Sequence, residues 1–218
     1  MRDEIKIMLP PYKIIYSVLT ILLLPIVRGI SDTTEIGGVM DVMMSVLTMV
    51  MIADTYLVEK REQRWEIISL LPIKSRKRMV YMRLIVEFVY IFFLATIGYF
   101  AFFIWKPEMR DFYRELWNYF EYLMAVGISI VFWGTLILVL ANLNGNIWRG
   151  IGAGLVLWLY LISTYGSKIL GRYNVFSYVF AGTDSKITDW IPGKVIGLLI
   201  AGILGIFILP RTLEFRRK

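Results

Sequence analysis

The chain has 218 residues, 58% of them hydrophobic and 19% charged, with a mean hydropathy of +0.65. A soluble domain of this length could not hide so much apolar surface, so the composition excludes an ordinary globular protein and points to an all-α, polytopic membrane protein. Cysteine and histidine are both absent, which removes disulfides, thiol nucleophiles, Cys/His zinc sites and histidine bases.

Six apolar runs predict six transmembrane helices, at about 11–28, 38–57, 82–105, 123–142, 148–165 and 194–210, within one membrane domain covering 1–218. The first run lacks a small-residue cleavage site and is followed by further spans, so it reads as retained. Pro10 and Pro11 punctuate its start, Pro25 is expected to kink it, and Pro210 to close the last span. Lys and Arg divide two to one in favour of the side holding both termini and the 59–83 loop. The positive-inside rule therefore places both ends and that loop in the cytoplasm. This topology accounts for the net charge of +7 without nucleic acid.

The second span carries Asp41, Ser45, Thr48 and Thr55 near one helical face, with Met40, Met43, Met44, Met49 and Met51 around them. Ionisable groups inside a membrane are functional candidates, though often simply paired. Asp41, Met44, Ser45 and Thr48 are thus candidates for a translocation-pathway wall or a dimer seam. Asp41 near the outer end, and Asp54 near the inner, can also be read as reaching interfacial water. The methionines suit either a soft, adaptable substrate surface or ordinary packing.

Glu59–Arg78 (EKREQRWEIISLLPIKSRKR) is an amphipathic stretch between two membrane-length runs. Residues 59–71 have no helix breaker, and Pro72 biases Leu71 out of the α region, so a short helix ends there. Trp65 and Ile68 share one side, Ile67 and Leu71 an adjacent one, while Glu59, Glu62 and Glu66 line another and Arg64 adds a basic handle. A ridge with charged handles suits docking into a groove on a soluble partner. Lys74, Arg76, Lys77 and Arg78 are explained by anionic headgroups, at about 1 kcal/mol each. Glutamates gain nothing from such lipid, so 59–72 is the informative part.

Farther along, 107–122 reads as an interfacial aromatic belt that extends the fourth span outward. Residues 166–182 are too short to cross and too apolar for an open loop, and so are expected to dip back into the membrane against protein. Glu87, four residues beyond Arg83, is placed for a same-face ion pair. Gly197, Ala201 and Gly205, like Gly150 and Gly154, form small-residue faces for close helix packing, within one chain or between two. No phosphate-binding loop is present, Gly182–Lys186 being only a shadow of one, so no catalytic or metal role is expected here.

The second span, a Glu-rich stretch, then W-E-I-I-S-L-L-P-I-K-S-R and a third span resemble the ABC type-2 transporter permeases. Glu62, Glu66, Leu70, Leu71, Pro72, Ile73 and Ser75 match the pattern, and Arg83 stands where a lysine is common. Trp65 departs from it, occupying a place where a Gly-Thr pair is more frequent. The resemblance implies an exporter permease in a bacterial cytoplasmic membrane. Two permease copies, identical or not, would pair with two separate ATPase subunits, which hold ATP and Mg; this chain itself would need no cofactor. It assigns Glu59, Glu62, Arg64, Trp65, Glu66, Ile68, Leu70, Leu71 and Pro72 to a coupling helix, and the segment before the last span to extracellular gate helices. The small size is similar to the Firmicutes-type exporters of peptides such as phenol-soluble modulins. The rival reading is a non-transporting scaffold or immunity protein that docks a cytosolic partner.

Overall fold

A computed structural model describes residues 8–28, 30, 34–57, 73–105, 112–180 and 189–214. All regular structure among them is helical. In chain order the helices are α1 (Pro11–Val27), α2 (Thr34–Ile52), α3 (Ile73–Trp105), α4 (Phe112–Asn144), α5 (Ile147–Ile162), α6 (Thr164–Leu170), a 3₁₀ turn (Gly171–Tyr173), α7 (Ser177–Phe180) and α8 (Ile191–Ile203). A π-helical stretch (Leu204–Ile208) then leads into α9 (Leu209–Glu214). The proposed coupling residues, from Glu59 to Pro72, lie outside the described residues.

Four stretches are long and apolar enough to cross a membrane: Glu35–Ile52, Lys77–Ile104, Tyr113–Asn144 and Ile191–Leu213. The pair α5 and Thr164–Tyr173, bent by 70°, makes a fifth if it is taken as one broken span, and α1 is a shorter apolar helix. The long helices differ from the expected spans mainly at their ends. At 33 residues each, α3 and α4 run about 50 Å, well beyond a hydrocarbon core of about 30 Å. The basic run Lys74–Arg78 is therefore the opening of α3 rather than a loop, and the aromatic belt from Phe112 onward is continuous with α4.

On α1 and α8 the faces divide against the pattern of a soluble protein. On α1 the buried face holds Lys13 and Ser17 with Ile21 and Leu24, while Ile15, Leu19, Leu22 and Ile26 are exposed. On α8 Gly193, Lys194, Gly197 and Ala201 are buried, while Leu198, Leu199 and Ile203 face outward. Polar and small residues inside, large apolar residues outside, is the arrangement that a lipid solvent favours, since lipid tails satisfy no hydrogen bonds.

Among the described helices α2 and α4 make the most extensive contact, and α4 also touches α3, α5, α8 and α9. Small residues let the helices meet. A Cβ on Gly150 would lie 2.7 Å from Ala141 Cα, and one on Gly154 would lie 2.7 Å from Ile137 Cδ1 and 3.0 Å from Met49 Sδ. The Gly197–Ala201–Gly205 face also turns inward: Gly197 approaches Val175 and Ile128, Ala201 is buried, and Gly205 approaches Thr135. Met40, Met44, Met49 and Met51 are buried in the core, so packing accounts for them.

Pro210 does not close the last helix, as its place in the sequence suggests; it sits inside α9. The preceding turn widens to π geometry, with Leu209 N–H donating to Leu204 O. Pro210 has no N–H to give to the carbonyl of Gly205, five residues back. Tyr81 of α3 supplies the donor instead, its hydroxyl 2.5 Å from Gly205 O.

Gly150→Ala is expected to lower the thermal midpoint in detergent by the equivalent of roughly 1–3 kcal/mol, the usual cost of overpacking. Gly152→Ala, where a Cβ meets nothing within 4 Å, should leave stability unchanged or raise it by about 0.5–1 kcal/mol.

Candidate functional site

Two clusters of buried charge flank α2. The first joins α2, α4 and α8. Asp41, Ser129 and Lys194 are all fully buried. Lys194 Nζ donates to Asp41 Oδ2 at 2.6 Å and to Ser129 Oγ at 2.6 Å. The Ser129 hydroxyl also bears on the Asp41 carboxylate. From the sequence, Asp41 is a candidate for a pathway wall or dimer seam that can also be read as reaching interfacial water, and Lys194 counts among the outer basic residues at the start of the last span. Instead, both groups are drawn into the bundle, because Lys194 falls in the first turn of α8 on the same face as Gly193 and Gly197.

The second cluster joins α1, α3 and the C-terminal end of α2. Lys13 Nζ donates to Met51 O at 2.8 Å, to Asp54 Oδ1 at 2.6 Å and to Glu87 Oε1 at 3.2 Å, using all three ammonium protons. Thr55 Oγ1 lies 2.5 Å from Glu87 Oε2 and 2.8 Å from Ile52 O. One turn beyond Lys13, Ser17 Oγ and Tyr90 OH meet at 2.8 Å, tying α1 to α3 again. Glu87 thus takes its charge partner from α1 rather than from Arg83 on its own helix. Charge counting places Lys13 in the basic N-terminal flank, yet it is nearly as buried as Glu87, at 3% exposed.

The stripe on α2 lies between the clusters. Asp41, Ser45 and Thr48 are fully buried and Met44 is 1% exposed. Ser45 Oγ donates to Asp41 O at 2.7 Å and Thr48 Oγ1 to Met44 O at 2.6 Å, so both hydroxyls are satisfied within their own helix. Across the neighbouring interface the polar connection is made by Lys194.

Beside the first cluster, the segment after α5 folds back onto the bundle. Ser163 caps α6, accepting from Gly166 N–H at 3.2 Å, and Gly166 is pressed against Tyr160 O with no room for a side chain. Asn174, fully buried, donates from Nδ2 to Leu161 O at 2.7 Å and accepts from Phe176 N–H at 2.9 Å. Phe176 then packs between Trp133, with ring centroids 5.8 Å apart, and Trp158, at 6.4 Å. Tyr178 lies on Gly37 of α2, and Ser177 Oγ donates to Trp190 O at 2.8 Å just before α8. The described part of segment 166–182, through Phe180, is therefore packed on protein.

No group of three or more acidic residues placed to hold a metal occurs among the described residues, and each carboxylate described above is matched to an ammonium or a hydroxyl. What the clusters can do is hold helices: each ties three segments together through one lysine. A signal for them exists in the sequence, because Lys13 and Lys194 both stand within four residues of an apolar helix start, where charge-counting treats them as loop residues.

Removing one member of a buried pair leaves the other charge uncompensated, whereas replacing both with apolar groups of similar volume is often neutral. Lys194→Met or Asp41→Leu alone is therefore expected to cost about 3–5 kcal/mol in a denaturant titration, and the double variant Asp41→Leu/Lys194→Met much less.

Comparison with protein-family models, with curated proteins and with solved structures returned no match.

Proposed function

We propose that the chain is the permease subunit of an ATP-driven exporter in a bacterial cytoplasmic membrane. It has six spans, both termini in the cytoplasm, and segment 59–72 as the helix on which a separate ATPase acts. The observation that carries this reading is the placement of an acidic, Trp-bearing amphipathic segment between two membrane-length helices, Glu35–Ile52 and Lys77–Ile104. α1 and the bent pair supply the fifth and sixth spans. A second copy of the permease and two ATPase subunits complete the complex, with ATP and Mg in the ATPase. The substrate class that fits an apolar bundle with few charges is an amphipathic peptide or a lipid-like molecule. Residues 164–180 would stand at the outer face as gate helices.

The inner charge cluster supports the mechanical part of this reading. Asp54 and Thr55 precede segment 59–72 by a few residues, and α3 follows it directly. Lys13 clamps both sides of that segment's root to α1. A push on the segment is thereby delivered to three helices together.

One observation favours the rival, a scaffold or immunity protein that docks a partner and moves nothing: the α2 stripe is wholly buried. The two readings part at the partner. A permease co-purifies with a nucleotide-binding subunit; a scaffold does not. In the reconstituted complex, Glu66→Lys or Trp65→Ala should leave membrane insertion intact and reduce substrate-stimulated ATP hydrolysis severalfold. Wild-type stimulation in both variants would remove segment 59–72 from the coupling role.

A further inference from the structure

We infer that the Asp41–Lys194–Ser129 cluster is a lock that closes the bundle over the polar face of α2, and that breaking it admits water to Ser45 and Thr48. The inference rests on the permease reading for what the opening serves, and on geometry alone for the lock itself.

Three observations carry it. First, the stripe's hydroxyls make no demand on neighbouring helices. Ser45 and Thr48 donate to carbonyls of their own helix, and on the facing α4, Thr135 Oγ1 does the same, to Val131 O at 2.8 Å. Drawing a neighbouring helix away from this face would therefore cost neither Ser45 nor Thr48 a hydrogen bond.

Second, the cluster is poised to be opened. Buried ion pairs contribute little net stability, because desolvation consumes most of the Coulomb attraction. Water entering the site would solvate both charges, which lowers the cost of separation. A closed, dry pair and an open, wet one are thus held closer in free energy than an apolar seam would allow.

Third, Lys194 is attached to what must move. It follows Gly193, which sits against Asn174 O and Ser177 Oγ of the folded-back segment, with no room for a side chain. A shift of α8 at Lys194 therefore bears directly on residues 174–177. The other charge cluster, centred on Lys13, is built from α1, α3 and the far end of α2 and shares no residue with this one. Asp41 and Met51 are ten residues apart, about 15 Å along a helix axis, so one end can open while the other stays tied.

The absence of cysteine in the chain allows a direct test. Ser45→Cys is close to isosteric and reports access to the stripe. Ser17→Cys, equally buried but beside the Lys13 cluster, reports general loosening. Each is placed in the full-length chain in lipid nanodiscs and reacted with a membrane-impermeant maleimide. Adding Lys194→Gln should raise the labelling rate of the thiol at position 45 on the order of a hundredfold, as expected when a buried charge loses its partner. The thiol at position 17 should be unaffected. Asp41→Asn, which keeps the side-chain shape, should act in the same direction and serves if Lys194→Gln fails to fold. An unchanged rate at position 45 would overturn the lock, and so would a parallel rise at both positions. Because no ATPase or substrate is present, either outcome is independent of whether the chain exports anything.

Discussion

Burial of two lysines inside an apolar bundle is the constraint on which the rest of the structure depends. Each ammonium must be paired where water is absent, since an isolated charge there is prohibitively costly. Lys13 meets that demand with Asp54, Glu87 and a backbone carbonyl, Lys194 with Asp41 and Ser129. Five of the described segments are thereby assigned neighbours: α1 and α3 to one end of α2, α4 and α8 to the other. Hydrophobicity cannot make such assignments in a bilayer, because every apolar surface is equally content against lipid.

Small residues and aromatic rings fill in what the charges define. Gly150 lets α5 close onto Ala141, and Gly197 and Gly205 let the last helix lie along Ile128 and Thr135. Tyr122 donates to Ala95 O at 2.8 Å, joining α4 to α3, and stacks near Tyr99 with centroids 4.8 Å apart. At the other side Phe176 is held between two tryptophans by the turn that Asn174 organises. Such contacts reward one arrangement of the helices over alternatives of similar apolar content.

The helical class and the long apolar segments were legible from composition and period, because lipid imposes a length and a hydropathy that any window of sequence reveals. The continuity of α4 with the aromatic stretch was legible for the same reason, from Phe112 onward. The partners of Asp41 and Glu87 were not. Lys194 lies 153 residues from Asp41 and Lys13 lies 74 from Glu87, and nothing local distinguishes these pairings from an i, i+4 pair with Arg83 or from contact with water. The π turn was hidden as well, since Pro210 reads as a terminator until Tyr81 is known to stand beside Gly205. The small-residue faces announced close packing but not its partner, which proved to lie within the same chain.

These features converge on α2 as a rod tied at each end, with segment 59–72 attached beyond its second tie. That arrangement has a mechanical meaning only if the two ties lie at opposite faces of the membrane. The single variants Glu62→Cys and Tyr113→Cys, the latter at an exposed position, measure this in the otherwise cysteine-free chain, in intact cells with an impermeant thiol reagent. Protection of the thiol at position 62 until the membrane is permeabilised, with immediate labelling at position 113, is the predicted result. Labelling of both from outside, or protection of both until permeabilisation, would contradict it.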